Sequence, residues 1–305
     1  MIIDFHVHPF VHENQILEEM KKADVDHSVL LAVDADPSDV EKPEIKKKLR
    51  ERHLNSLVGF HSLKPIEDEI RQFFQGLVSY YPELKSSNQD IADLVKRNPD
   101  KFVGLGSVNP NKDEEYVEAK LREIETLKLK GIKMLPTLQL FSPVENENFT
   151  RICEYCEESK KVLLYHTGCD PGPWENPELS EDANPKHLRP ILEDHKMPIV
   201  LAHTGSYSAR NPGIWFKEAL NLGKDFDNVH YDSSAVSSLI YSERILRKLR
   251  KEIGLTRLLY GSDFPVVWGS SMTYEVNVIK NCRFLTEDEK NGILGLNASR
   301  VLKLT

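Results

Sequence analysis

Short apolar runs, rich in β-branched residues, recur along the chain and are separated by longer stretches in which apolar residues return every three or four positions. The runs are 1–8 (MIIDFHVH), 27–33 (HSVLLAV), 102–108 (FVGLGSV), 131–136 (GIKMLP), 161–168 (KVLLYHTG), 198–205 (PIVLAHTG), 228–234 (NVHYDSS) and 257–265 (RLLYGSDFP). Near-continuous apolar character predicts strands buried on both faces, and alternation with helices predicts a parallel sheet. The helical spacing is clear at 14–25, 111–130, 187–195 and 244–253. Eight strand-helix units in about 300 residues predict an α/β fold of the (β/α)8 TIM-barrel type rather than an open doubly wound sheet. A dinucleotide-binding sheet would need G-x-G-x-x-G after its first strand, and HVHPFVHEN stands there instead.

One connection is far longer than the rest. Between Val33 and Phe102 the pattern predicts an insertion after strand two, at approximately 34–100, within a single domain spanning 1–305. It holds a charged helix at 38–53, a short apolar segment at 56–63, a helix at 66–80 and a last helix at 87–97. It leaves the sheet at a strand's C-terminal end, where barrel enzymes keep their sites, so a lid or pocket wall is expected of it.

Composition narrows the class. The chain has 305 residues, 29% charged and 40% hydrophobic, with a net charge of −8 that gives no support to a nucleic-acid role. The basic run at 46–53 reads as the solvated face of a helix. No stretch of 18 apolar residues predicts a membrane span, and the N-terminus lacks the features of a signal peptide. Four cysteines form no disulfide framework, and Cys153 and Cys156 read as two thiols packed on one helix face. A cytoplasmic address is expected, with a small molecule as partner; a homodimer is compatible with the sequence and not required by it.

The candidate chemistry starts at His6 and His8, a His-x-His at the end of strand one, where side chains two apart share a face. His166, His203 and Asp263 close strands five, six and eight, and in a barrel all five positions converge on the C-terminal mouth. A strand-end histidine alone is usually a satisfied core residue, and a strand-end aspartate usually forms a turn. Five ligand-type residues at C-terminal strand ends, with none at the N-terminal ends, argue jointly against that.

These motifs carry a resemblance. DFHVHP (4–9), GIKMLP (131–136), YHTG (165–168), AHTG (202–205) and YGSDFP (260–265), with 93–110 and 293–304, resemble the metal-dependent amidohydrolase superfamily. The branch is the amidohydrolase-related one that includes aminocarboxymuconate-semialdehyde decarboxylase-like enzymes. The resemblance implies one divalent metal, with zinc the expected ion, held by His6, His8, His166 and Asp263. It also implies His203 as an unligated acid/base or carbonyl-polarising residue, with Asp263 sharing the catalytic work. Three imidazoles and a carboxylate leave a position for water, whose pKa zinc lowers to about 7. Some superfamily members carbamylate a strand-four lysine between two metals, so Lys133 raises a binuclear alternative; it could instead meet a substrate carboxylate or an internal acid, or point outward. That branch often carries His where Leu135 stands here.

The function expected is a hydrolase directing metal-activated water at an amide, ester or lactone carbonyl. The alternative is a metal-dependent non-oxidative decarboxylase, a lyase, acting on a small carboxylic acid; a nearby arginine would favour it, and Arg210 is the one candidate. A barrel that had lost catalysis should have lost a ligand as well. Trp174, Trp268, His12, His61, Asp232 and Ser233 are weaker pocket candidates, for which packing or turn formation is the better reading.

Overall fold

The computed structural model describes residues 1–57, 66–80 and 85–304. Eight parallel strands follow one another: β1 (Ile3–Val7), β2 (His27–Leu31), β3 (Phe102–Leu105), β4 (Gly131–Met134), β5 (Val162–Tyr165), β6 (Ile199–Leu201), β7 (Val229–Asp232) and β8 (Leu258–Leu259). Regular ladders join β1 to β3 and β4 to β8. Backbone bonds just past the strand ends close the ring. Lys133 N–H donates to the Gly106 carbonyl (2.7 Å) across β3 and β4, and Asp263 N–H donates to the His6 carbonyl (2.9 Å) across β8 and β1. The result is the expected TIM barrel.

Helices α1 (Glu13–Ala23), α2 (Pro43–Ser56), α3 (Ile66–Tyr80), α4 (Asn88–Arg97), α5 (Glu114–Thr126) and α6 (Glu147–Glu158) fall within the first four strand intervals. The predicted spacing located α1 to α5 to within five residues at either end. Two apolar layers result from strand parity. Leu163, Tyr165, Ile199 and Leu201 face the helices, while Val162, Leu164 and Val200 face the barrel interior. Cys153 and Cys156 are buried on α6, where desolvation raises both thiols, the second to about 12, as packed thiols should behave.

The insertion holds three of these helices, α2, α3 and α4. Ile45 and Leu49 of α2 join Val33, Leu135, Leu138 and Trp174 in an apolar cluster over the barrel's C-terminal end, with Phe73 and Phe74 of α3 packed against it. Arg52 and Lys48 of α2 meet the buried Asp182 at 2.7 and 3.0 Å, tying the insertion to the connection after β5. The insertion thus packs over the barrel's C-terminal end, but among the described residues none of it lines the mouth cavity, whose wall is formed there by Val33, Leu135 and Leu138. The apolar segment 56–63, and His61 with it, extends outside the described residues. Among those described, no helix is long and apolar enough to cross a membrane.

Candidate active site

The first strand does not present its histidines by simple alternation. Ile3 and Phe5 pack inside the barrel but Val7 packs outside, because the β1–β2 register shifts between Asp4 and Val7. This bulge changes the inward parity, so that His6 is aimed at the mouth. His8 lies one residue beyond the strand. His166 follows β5 directly, while His203 and Asp263 sit further out, in turns, with φ of +58° and +59°. Side chains at left-handed positions leave the strand direction, so these two cannot be placed by parity.

The two His-Thr-Gly endings differ in conformation. His203 and Thr204 are both left-handed, whereas after β5 the positive φ falls on Gly168. Thr167 bridges outward by donating to the Ala202 carbonyl and accepting from Gly205 N–H (2.8 Å), and Thr204 donates to the Asp232 carbonyl (2.6 Å). Each threonine therefore ties its turn to the next strand.

His6 stands at the centre. Its Nδ1–H donates to Asp232 Oδ2 (2.9 Å), which leaves Nε2 with its lone pair turned toward the mouth. Around that atom lie His8 Nε2 at 3.2 Å, Lys133 Nζ at 3.3 Å and Asp263 Oδ1 at 3.4 Å. Asp263 Oδ1 is also 3.4 Å from His8 Nε2. Donors bound tetrahedrally at 2.0–2.1 Å stand about 3.4 Å apart, so this spacing is that of a ligand shell. His8 Nδ1 and His166 Nε2 are buried without a hydrogen-bond partner. The ligand atoms of His6, His8 and Asp263 all lie within 4.8 Å of one another, and this donor set fits a divalent ion.

His166 is not in that tightest group. Its Nε2 lies 3.3 Å from Asp170 Oδ1, and its ring is 4.9 Å from that of His203. His203 donates Nδ1–H to the Ser234 carbonyl (2.9 Å), and its backbone N–H donates to Asp232 Oδ1 (2.9 Å). Its Nε2 is therefore an acceptor until it is protonated. A second possible metal group, His6, His203 and Asp232, shares Asp232 with these bonds.

Burial sets the protonation states. Desolvation lowers His8 to about 3 and His203 to about 4, and holds His6 and His166 well below 6.5, so all four imidazoles are neutral at pH 7. Desolvation raises Asp263 to about 7 and lowers Lys133 to about 8, against opposing attraction to Asp232 and Asp263 in the lysine's case. Lys133 is fully buried and faces inward, so the outward reading is excluded.

Among the described residues, the small cavity at the mouth, about 50 Å³, is lined by His8, His166, His203, Asp263, Asp170 and Tyr207, and by apolar side chains including Phe10, Leu135 and Val266. Trp174 lies behind this wall, Trp268 and Arg210 are exposed, His12 caps α1, and Ser233 accepts from Tyr241. Asp232 proves central as the partner of His6, although its place at the end of β7 was the one sequence signal for it. Asp170 had no signal beyond lying four residues after His166.

Comparison with known proteins follows this geometry. The amidohydrolase profile matches residues 3–304. The chain belongs to the amidohydrolase family. This amidohydrolase is 25% identical over 251 residues to 2-amino-3-carboxymuconate-6-semialdehyde decarboxylase of Dictyostelium discoideum, a match covering 71% of this chain and 65% of that relative. It shares its fold with a dihydroxybenzoic acid decarboxylase of Polaromonas sp. JS666, solved with manganese and 2-nitroresorcinol bound (12% identity, TM-score 0.60, 99% and 97% of the two chains covered). It does so equally with a probable 2-pyrone-4,6-dicarboxylic acid hydrolase of Acinetobacter baumannii, solved with citric acid bound (14% identity, TM-score 0.63, 99% of each chain covered). The chain is thus a member of the amidohydrolase family whose residues could hold a metal.

Proposed function

We propose that this amidohydrolase is a metal-dependent, non-oxidative decarboxylase of a small carboxylic acid, reversing the order of the two reactions expected from the sequence. The observation that carries the reading is the 3.2–3.4 Å convergence of His6, His8 and Asp263 beside a cavity with apolar walls. The decarboxylase name of the curated relative favours this reaction over hydrolysis. His6, His8, His166 and Asp263 hold one divalent ion, with zinc proposed and manganese a competitor given the Polaromonas neighbour. When bound, the ion supplies Lewis acidity toward a carboxylate and an adjacent oxygen.

The rest of the chemistry belongs to the side chains. Asp232 holds His6 in one tautomer, and the Ser234 carbonyl does the same for His203. As the C–C bond to the departing CO₂ breaks, its electron pair remains on carbon, and the proton that replaces it is drawn from a water molecule and relayed by the ionised Asp263, whose Oδ1 faces the metal donors. His203 accepts a hydrogen bond from the substrate's neighbouring hydroxyl through Nε2. The apolar wall keeps bulk water from the carbanion-like centre.

The test is to load the purified chain with zinc or manganese and offer hydroxylated aromatic and unsaturated monocarboxylic acids while following CO₂ release. Metal-dependent CO₂ release supports the proposal. Metal-dependent cleavage of lactones or amides with no CO₂ release would overturn it in favour of hydrolysis.

A further inference from the structure

Tyr207 lines the mouth four residues beyond His203 and has no part in the reaction proposed above. Its backbone is strapped to the turn of the neighbouring strand. Gly168 pairs with Tyr207 in a parallel bridge, and Cys169 N–H donates to the Tyr207 carbonyl (2.6 Å). The two segments approach so closely that a Cβ on Gly168 would stand 2.6 Å from the Tyr207 carbonyl oxygen. Thr167 adds a second tie by accepting from Gly205 N–H (2.8 Å). Tyr207 is therefore held from the backbone beyond β5, independently of the imidazole it touches.

That imidazole is His203. The Tyr207 ring packs on it with centroids 4.7 Å apart and planes at 33°. Among the described residues, the other rings against His203 are those of His6 and His166, at 5.0 and 4.9 Å, and both are proposed metal ligands. His203 is anchored through Nδ1, which faces the Ser234 carbonyl and hydroxyl at 2.9 Å each. An anchor at one nitrogen fixes that atom but lets the ring rock, and rocking carries Nε2 across the mouth. A reacting group displaced by about 1 Å loses on the order of 100-fold in rate, so a wall has to set the tilt. An aromatic face at this spacing is such a wall. We infer that Tyr207 is a positioning residue for His203: its ring, braced by the backbone beyond β5, holds the imidazole at the tilt that aims Nε2 at the substrate. The inference rests on the role given to His203 above and adds a residue to it.

The test follows His203 directly, by proton–nitrogen correlation spectra of the zinc-loaded chain carrying isotopically labelled histidine. Its signals are assigned by their loss in His203→Ala. Wild type should show one sharp His203 set with Nδ1 protonated and Nε2 bare. Tyr207→Met fills a similar volume without a flat face and should broaden or split that set, with zinc content unchanged. Tyr207→Leu should do the same, which guards against misfolding of the first variant, and Tyr207→Phe should restore the single set. With 2,6-dihydroxybenzoate, or the screened acid that releases CO₂ faster, Tyr207→Met should lose about tenfold or more in kcat while KM stays within roughly threefold. Tyr207→Phe should recover most of that kcat. An unchanged His203 set in both Tyr207→Met and Tyr207→Leu overturns the inference. So does loss of zinc, a rise in KM at constant kcat, or a Tyr207→Phe as impaired as Tyr207→Met. If no screened acid is turned over, the decarboxylase reading falls, and the His203 spectra still decide this inference.

Discussion

His166 and His203 end their strands with the same tripeptide, yet they present different atoms to the mouth. His203 spends Nδ1–H on the Ser234 carbonyl, while His166 leaves Nε2 buried and unpartnered. If that nitrogen is a ligand, His166→Ala should lose metal, measured as zinc per chain after dialysis, with affinity falling at least tenfold. His203→Ala should keep its zinc and lose turnover by 10²-fold or more. Lys133 is the residue whose role separates one metal from two. Its ammonium approaches His6 Nε2 at 3.3 Å, so a neutral amine or a carbamate there would compete for metal. With a single ion, Lys133→Met should retain one zinc per chain in elemental analysis; a fall from two to one would establish the binuclear site.

The elements carry the site through their turns. Gly205 follows the two left-handed residues and has φ of +67° itself. A Cβ built there would stand 2.7 Å from the Trp215 carbonyl oxygen, whose chain is held by the Trp215 N–H bond to the Gly205 carbonyl at 2.8 Å. Backbone cannot yield as a side-chain tip can. Gly205→Ala should therefore cost about 2 to 4 kcal/mol from positive-φ strain and overlap together, seen as a lower Tm. Gly168→Ala meets Tyr207 backbone in the same way. Sequence periodicity located β1 but not its bulge, because a register shift leaves the apolar pattern intact while changing which residues face inward. For His203 and Asp263, periodicity predicted strand ends and the backbone provides left-handed turns. That difference is decided by bonds to Asp232 and to His6, which are distant in sequence.

Across the whole molecule, metal, protons and folding are linked. Asp263 must be ionised to bind a cation, and in the metal-free protein its carboxyl is raised to about 7, while His6, His8 and His166 are already neutral at that pH. Zinc affinity should therefore rise with pH up to and through about 7 and level off above it, measured by chelator competition; Asp263→Asn should flatten the slope. The sign for stability is opposite. A carboxyl whose folded pKa lies above its unfolded 3.8 makes the metal-free chain gain stability from this group as pH falls from 7 toward 4. The gain in Tm on adding zinc should accordingly shrink below pH 7. What the sequence determined by itself was the alternation of buried strands and amphipathic helices, because burial on two faces and a 3.6-residue period are local constraints on side-chain chemistry. The barrel, its insertion and the five residues gathered at its mouth were legible for that reason, since each is tied to a strand's end. Only the tertiary structure decided that Asp232 orients His6, that Lys133 points inward and that Asp170 faces the cavity. Those facts depend on bulges, left-handed turns and contacts between residues more than 30 positions apart, which leave no period in the chain.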